Sequence, residues 1–266
     1  MKRAKQDKDG FGFTSSILDW VLLGRYTGHR LGEFAQVTQS RAEYHISPRK
    51  RYLKANSRKC FAFKDKHGQS ITDITTHKHR IHAVTITWLV QKNRRNGQQI
   101  TFIVTNTDLC PVMAAIRIYE RSIQLGLKED EPMGAFFERK RRRFLTGGKI
   151  RTYFKAVAQH VYPDISTAEK SKFSAHMIRV SAAVILQVSG QPGHVIQKRL
   201  RWEGDSYKVY LRNSDALALL HNTAAAKSDS LVYSLSEDNL DIDPIFNHKI
   251  PEPISEIEMG TWSEVE

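Results

Sequence analysis

A histidine and an arginine stand three residues apart in the stretch FSAHMIRVSAAVILQVSG, residues 173–190. The second half of this stretch is a run of small and branched apolar side chains, which predicts a buried helix. Positions i and i+3 share one face of a helix, so His176 and Arg179 point the same way. Arg offers a planar fork of donors and His can exchange a proton, which suits an anion. The alternative interpretation is a surface ion pair or a helix cap, and H-x-x-R alone does not decide between them.

Three other segments carry residues of related chemistry. Arg30 in TGHRLGE lies near the end of the first predicted helical segment, and Glu33, three residues later, can brace it. Lys92 ends the first strand of a predicted hairpin with a basic turn, and Trp202 and Tyr210 follow in RLRWEGDSYKVYLRN. The segments therefore occur in the order T-G-x-R-x-x-E, hairpin lysine, H-x-x-R, and a tryptophan followed by Y-L-R.

Both helices and strands are predicted to position these residues. Apolar residues recur at helical spacing in residues 17–23, and Gly28 ends that helix. The segments HAVTITWLVQ and QQITFIVT alternate apolar and polar residues on either side of KNRRNG, which predicts a β-hairpin. A helix with Pro near its start and Gly just past its end follows in TDLCPVMAAIRIYERSIQLG, and residues 149–225 hold two or three more. The predicted fold is α+β, mainly helical with a small antiparallel sheet.

Charge is distributed very unevenly along the 266 residues. The chain has a formal charge of +13, but the ten carboxylates and one Lys from Asp229 onward contribute −9, leaving +22 on residues 1–228. Such an excess indicates a nucleic-acid partner rather than merely a basic surface. We predict a flexible basic lead at 1–12, a single catalytic domain at 13–228 and a disordered acidic tail at 229–266.

Several classes of protein are disfavoured by composition. The longest apolar run, residues 182–188, is far too short to span a membrane, and the charged N-terminus is not a secretory signal. Two cysteines cannot form a disulfide framework or a four-ligand zinc site, which favours a reducing compartment. HKHRIH clusters three histidines, but no cysteine or carboxylate pattern accompanies them, so a basic segment near DNA is favoured over a metal site. ERKRRRF fits either a nuclear-import signal or phosphate contacts.

The set and order of the four motif segments resemble the catalytic domain of the tyrosine recombinases, the phage-integrase family, over residues 13–215. DLCPVMAAI and LRW…YLRN look most like the Crypton-like branch found in eukaryotic mobile elements. The resemblance implies a DNA breaking-and-rejoining enzyme that forms a covalent 3′-phosphotyrosine intermediate. It further implies a homotetramer on two DNA duplexes, no cofactor and no metal, and a nuclear location in a eukaryotic host.

Carried onto this chain, the resemblance assigns two catalytic arginines, a hairpin lysine, a histidine, a His-or-Trp position and a nucleophile: Arg30, Arg179, Lys92, His176, Trp202 and Tyr210. Two guanidinium groups suit phosphodiester chemistry because the non-bridging oxygens gain charge in the transition state. A tyrosine hydroxyl, with an ordinary pKa of about 10, needs cationic neighbours and a base to attack near neutrality. We expect His176 to assist that proton transfer and Lys92 to protonate the leaving 5′ oxygen.

Two of these assignments have competitors. In most relatives the nucleophile lies one position further from the His-or-Trp residue than Tyr210 lies from Trp202, and Tyr207 is the alternative. The following residues YLRN favour Tyr210. Lys78 precedes the hairpin and Arg94 and Arg95 occupy its turn, so each competes with Lys92.

The pattern also departs from the family at its start. Relatives carry an N-terminal helical domain that clamps the far side of the duplex, whereas only residues 1–12 precede the predicted catalytic fold. We therefore expect either a fragment or a weakened grip on DNA. Two alternative functions follow: a non-catalytic DNA-binding relic of a mobile element, and a type IB topoisomerase, which shares the same catalytic arrangement.

Overall fold

The computed structural model describes most of the chain up to residue 208. Side chains are described for residues 10–35, 55–91, 95–105, 107–139, 141–204 and 206–208, and the strand backbone alone for 43–47 and 50–53. Two predicted site residues, Lys92 and Tyr210, lie outside the described residues, as do the predicted basic lead up to residue 9 and the acidic tail.

The first helix, α1 (Phe13–Thr27), is followed closely by the one-turn helix α2 (Leu31–Phe34). The apolar side chains of α1 recur on one face, and Ile17, Trp20 and Leu23 are fully buried. Gly28 ends α1 in the left-handed conformation, at φ 57° and ψ 44°, and its N–H donates to the Gly24 carbonyl at 2.7 Å. Because the turn is this tight, α2 begins only three residues after Gly28.

The strands form three antiparallel sheets. The strands are β1 (Glu43–Ser47), β2 (Lys50–Leu53), β3 (Phe61–Lys64), β4 (Ser70–Ile71), β5 (Ala83–Trp88), β6 (Gln98–Ile103), β7 (Ala135–Glu138) and β8 (Arg141–Phe144). The main sheet has the order β4-β3-β5-β6, and the hairpins β1–β2 and β7–β8 lie outside it. In the predicted hairpin β5–β6, Trp88 pairs with Gln98, and alternate β5 side chains are buried. The basic run ERKRRRF forms part of β7–β8.

The remaining helices follow or interrupt these strands. They are α3 (Ile74–His77), α4 (Pro111–Gln124), α5 (Gly147–Val161), α6 (Thr167–Ser171), α7 (His176–Val188) and α8 (Gly193–Arg199). Short 3₁₀ turns lie at Arg58–Cys60 and Lys78–Arg80. Pro111 occupies the first turn of α4, as its sequence predicts. No helix within the described part of the chain is long and apolar enough to cross a membrane.

Two apolar clusters hold the described elements together. The larger joins α1, the main sheet, α4 and the start of α7, and α1 and α7 approach so closely that a Cβ on Gly24 would lie 2.3 Å from Ile178 Cγ2. The smaller consists of Ala182, Ala183, Ile196, Leu200 and Tyr207, with Leu186 and Trp202 beside them. The predicted α+β fold, mainly helical with a small antiparallel sheet, is confirmed.

Candidate active site

A cavity of about 230 Å³ lies where the starts of α2, α5 and α7 come together. Its lining residues are His29, Arg30, Leu31, Gly147, Arg151, Ser174, Ala175, His176 and Arg179. The structure thus brings three of the predicted site residues, Arg30, His176 and Arg179, to one concave surface although they come from opposite ends of the described chain. None of the described residues that line the cavity is acidic, so its local charge favours an anion.

Arg30 is held at the N-terminus of α2. The Arg30 backbone N–H donates to Glu33 Oε2 at 3.1 Å, and Arg30 Nη1 donates to Glu33 Oε1 at 3.2 Å. The three-residue spacing had suggested such a brace. The Arg30 side chain remains 25% exposed, whereas that of Glu33 is buried. Glu33 therefore orients Arg30 without closing it off from the cavity.

Arg179 is almost fully buried on α7, at 4% exposure. Its Nη1 donates to the Gly28 carbonyl at 2.8 Å and its Nη2 to the Arg201 carbonyl at 3.4 Å. Its Cζ lies 4.3 Å from the centroid of the Trp202 ring, a cation–π contact. Trp202, a predicted site residue, is thus placed against Arg179, and it lines a separate cavity next to Gln98 and Arg201.

His176 opens α7 on the cavity surface. Partial desolvation, and then the nearby Arg179 guanidinium, lower the pKa of His176 below its usual range. Its imidazole is therefore largely uncharged at neutral pH, which leaves a ring nitrogen able to accept a proton.

Arg201 was missed by the sequence analysis, yet it connects most of the surrounding elements. Its side chain is 0% exposed and forms a bidentate pair with Glu33, at 3.0 Å to Oε1 and 2.9 Å to Oε2. It also donates to Gln91 Oε1 at 3.2 Å and to the Thr27 carbonyl at 3.3 Å, and its Cζ lies 3.7 Å from the Trp88 ring centroid. Arg201 belongs to the basic run KRLRW, residues 198–202. Only the tertiary structure shows that Arg201 is the fully buried cation of this run.

The Arg201 guanidinium sets the charge of Glu33. Burial on its own would raise the pKa of Glu33, but the attraction and hydrogen bonds of Arg201, with smaller contributions from His29 and Arg30, lower it to about 2. Glu33 is therefore ionised at any pH near neutrality. An ionised Glu33 can accept from Arg30 and Arg201 together.

His29, the neighbour of Arg30, was also missed and is fully buried. Burial lowers the pKa of His29 to about 3; the charge of Glu33 opposes this shift, and Arg201 and Arg179 add to it. The Asn56 amide donates to His29 Nε2 at 2.8 Å, and His29 Nδ1 contacts the Thr27 hydroxyl, which donates to the Leu23 carbonyl. These partners fit a neutral ring that fixes the backbone before Arg30.

The structure describes three of the residues that compete with Lys92 and Tyr210 for their roles. Lys78 Nζ donates to Glu120 Oε1 at 2.9 Å and is not among the residues lining the cavity. Arg95 is exposed in the hairpin loop, with Nε 3.8 Å from Glu203 Oε1. Tyr207 is 4% exposed within the smaller apolar cluster. Among the described residues, no group of histidines, cysteines and carboxylates is close enough to hold a metal ion.

The α+β fold thus places an arginine-lined cavity beside the H-x-x-R helix, an arrangement whose charge suits an anion. The model of the phage integrase family matches residues 70–216, more than half of the chain, and the chain belongs to that family. The family comprises tyrosine recombinases, site-specific recombinases and integrases that bind DNA. No curated protein matches the chain. Arg30 precedes the matched residues, and only the folded structure brings it to the same cavity as His176 and Arg179.

Proposed function

We propose that this chain is a DNA strand transferase that cuts and rejoins a duplex through Tyr210. The observation that carries the proposal is the cavity that Arg30, His176 and Arg179 share. Its volume of about 230 Å³ accommodates one phosphate group and its two ester oxygens.

The two arginines hold the scissile phosphate. Arg179 is oriented by two backbone carbonyls and by Trp202, and Arg30 by Glu33, so both guanidinium groups are fixed before a substrate arrives. The helices α5 and α7 both begin at the cavity, through Gly147 and His176, and the positive ends of their dipoles favour the same anion.

The covalent step is an in-line displacement at phosphorus. The Tyr210 hydroxyl oxygen attacks, its proton passes to His176, and a bond forms between phosphorus and the tyrosine oxygen. The bond from phosphorus to the 5′ oxygen breaks, and Lys92 gives that oxygen its proton. Attack by the 5′ hydroxyl of a partner strand reverses the step. Because the ester linkage is conserved, the cycle balances without nucleotide hydrolysis.

The proposed chemistry extends to the oligomeric state and the cellular setting of the protein. Joining strands of two duplexes requires several active sites held together, so we propose a homotetramer on DNA. We further propose that the chain comes from a Crypton-like mobile element and works in the nucleus of its host. The formal charge of +22 on residues 1–228 supports a polyanionic partner such as DNA.

The direct test is capture of the covalent intermediate. A pool of nicked duplexes with randomised sequence releases the 5′-hydroxyl fragment after cleavage, so the protein remains attached to DNA and migrates more slowly under denaturing conditions. We expect an adduct with the wild type and with Tyr207→Phe, and none with Tyr210→Phe. An adduct that persists in Tyr210→Phe, or none from folded wild-type protein with any substrate, contradicts the proposal.

A further inference from the structure

Arg201 lies where three segments of the site meet. Its guanidinium contacts Glu33 on α2, Gln91 in the loop that joins β5 to β6, and the Thr27 carbonyl at the end of α1. Its own backbone carbonyl accepts from Arg179 Nη2 at 3.4 Å. A single residue therefore contacts the groups that hold Arg30 and Arg179 and also the segment that precedes Lys92.

The backbone of Arg201 is itself unusual. Its φ is +58°, in the left-handed region that residues other than Gly, Asn and Asp seldom occupy. Such a conformation persists where the surroundings determine it, and here the Glu33 pair and the Trp88 ring hold the side chain. The conformation turns the Arg201 carbonyl toward Arg179 while its guanidinium reaches Glu33.

Gln91 extends the network into the hairpin. Its side-chain oxygen accepts from Arg201, its Nε2 donates to Gln98 Oε1 at 3.1 Å, and its backbone N–H donates to Asn96 Oδ1 at 2.8 Å. Both ends of the hairpin turn are thereby fixed relative to Arg201.

We propose that Arg201 is a positioning residue that sets Arg30, Arg179 and the loop of the β5–β6 hairpin in one geometry around a bound phosphate. The inference rests on the proposed function and deepens it, because it states what holds the phosphate-binding groups in register. Arg201 acts through Glu33 on Arg30, through its carbonyl on Arg179, and through Gln91 on the hairpin. A shift of about 1 Å in such groups can cost on the order of 100-fold in rate.

The test compares Arg201→Met with Arg121→Met as a matched control. Arg121 is also buried and pairs with a carboxylate, Asp19, but it is not among the residues lining the cavity. At a temperature where both variants are folded, we expect Arg201→Met to form adduct about 100-fold more slowly, with nearly unchanged DNA affinity. Arg121→Met should match the wild-type rate.

A second variant removes the concern that Arg201→Met simply unfolds. Glu33→Gln combined with Arg201→Gln leaves no unpaired buried charge, so we expect its thermal stability to recover toward the wild type. Its rate should remain low because Arg30 has lost its ionic brace, and Arg201→Lys should recover part of the rate. Recovery of both stability and the wild-type rate in the double variant would show that Arg201 only supports folding.

Inorganic phosphate separates this inference from the proposed function. We expect phosphate to shift the His176 imidazole resonances of the wild type and of Arg121→Met in NMR titrations. It should bind at least about tenfold more weakly to Arg201→Met, because misplaced guanidinium groups lose a charge-assisted hydrogen bond. If the wild type forms no DNA adduct but this pattern holds, the strand-transfer proposal fails and the positioning role stands. Equal phosphate binding by Arg201→Met and the wild type overturns the positioning role, whatever the adduct assay shows.

Discussion

The Arg201–Glu33 pair and the Arg121–Asp19 pair use the same chemistry in different parts of the fold. In each, a buried guanidinium meets a buried carboxylate from the N-terminal helices. Arg121 joins α4 to α1 and also donates through Nε to the Gly10 carbonyl at 2.8 Å. Its partner Asp19 accepts in addition from Arg117 Nε at 2.6 Å.

The surroundings of the two pairs differ in charge. The groove beside Arg121 is the larger, at about 490 Å³ against about 230 Å³, but its lining mixes Arg117 and Arg121 with three carboxylates, those of Asp19, Asp108 and Glu120. The cavity beside Glu33 is lined by three arginines and, among the described residues, by no carboxylate. Neither a buried ion pair nor the volume of a cavity therefore identifies the site, whereas a lining that holds three arginines and, among the described residues, no carboxylate does.

Removing the two carboxylates tests how similar the pairs are as supports of the fold. We expect Glu33→Ala to lower the free energy of unfolding by about 3–5 kcal/mol, because it leaves the Arg201 charge buried and unpaired. Asp19→Ala should fall at the lower end of that range, since Arg117 reaches solvent. Urea denaturation at pH 7 measures both. A loss near zero for either variant would mean that its arginine finds another partner.

Arginine-to-lysine changes next to each pair test which of the two surroundings serves catalysis. Arg179→Lys keeps a cation but loses the planar fork, and we expect adduct formation to slow by about 10²–10³-fold. Arg117→Lys, beside the other pair, should retain the wild-type rate. Single-turnover cleavage of the nicked substrate measures both rates. Equal rates for the two variants would remove Arg179 from the phosphate site.

The parts of the site that sequence could predict depend on local spacing. The face shared by His176 and Arg179 follows from helical periodicity, and the Glu33 brace on Arg30 from a three-residue separation. The β5–β6 hairpin follows from alternating side chains on either side of a basic turn. Each of these features is decided within one short segment of the chain, where propensity and periodicity act directly.

The parts that sequence could not predict depend on tertiary burial. Arg201 stands among other cations, and nothing local distinguishes it from the partly buried Arg199, whose Cζ lies 5.1 Å from the Phe102 ring centroid. His29 lies next to Arg30, yet its ring packs between Trp20 and Trp88. A buried cation or imidazole is stable only where distant segments supply its partners, so its role appears only once the fold is assembled.

Acid stability distinguishes the two pairs through His29, which packs beside Glu33. Its pKa is about 3 in the folded protein and 6.5 as a reference for the unfolded chain, so the unfolded state takes up a proton first. Stability from this residue is complete above pH 6.5 and is lost as the pH falls toward 3. We expect His29→Gln to remove about 2 kcal/mol of the stability loss between pH 7 and pH 5.

Urea denaturation at the two pH values measures this slope. Glu33 does not contribute in that window, since its pKa change lies between 4.5 and about 2. His176, whose pKa is also lowered, adds a slope of the same sign that both proteins share. Ser16→Ala, a buried change in α1 that removes no titratable group, is the control and should keep the wild-type slope. An unchanged slope in His29→Gln would show that the ring titrates normally.

The smallest expected effect concerns Tyr207, which belongs to neither ion pair and packs in the smaller apolar cluster. Its ring is 4% exposed, and its hydroxyl lies so close to α8 that a Cβ on Gly193 would be 2.4 Å away. A phenol held there cannot reach a phosphate without opening the cluster. We expect Tyr207→Phe to change the free energy of unfolding by at most about 1 kcal/mol and to leave the cleavage rate unchanged. Tyr162→Phe, on an exposed tyrosine, is the matched control. Loss of the DNA adduct in Tyr207→Phe alone would move the nucleophile from Tyr210 to Tyr207 and would require the cluster around α8 to open during catalysis.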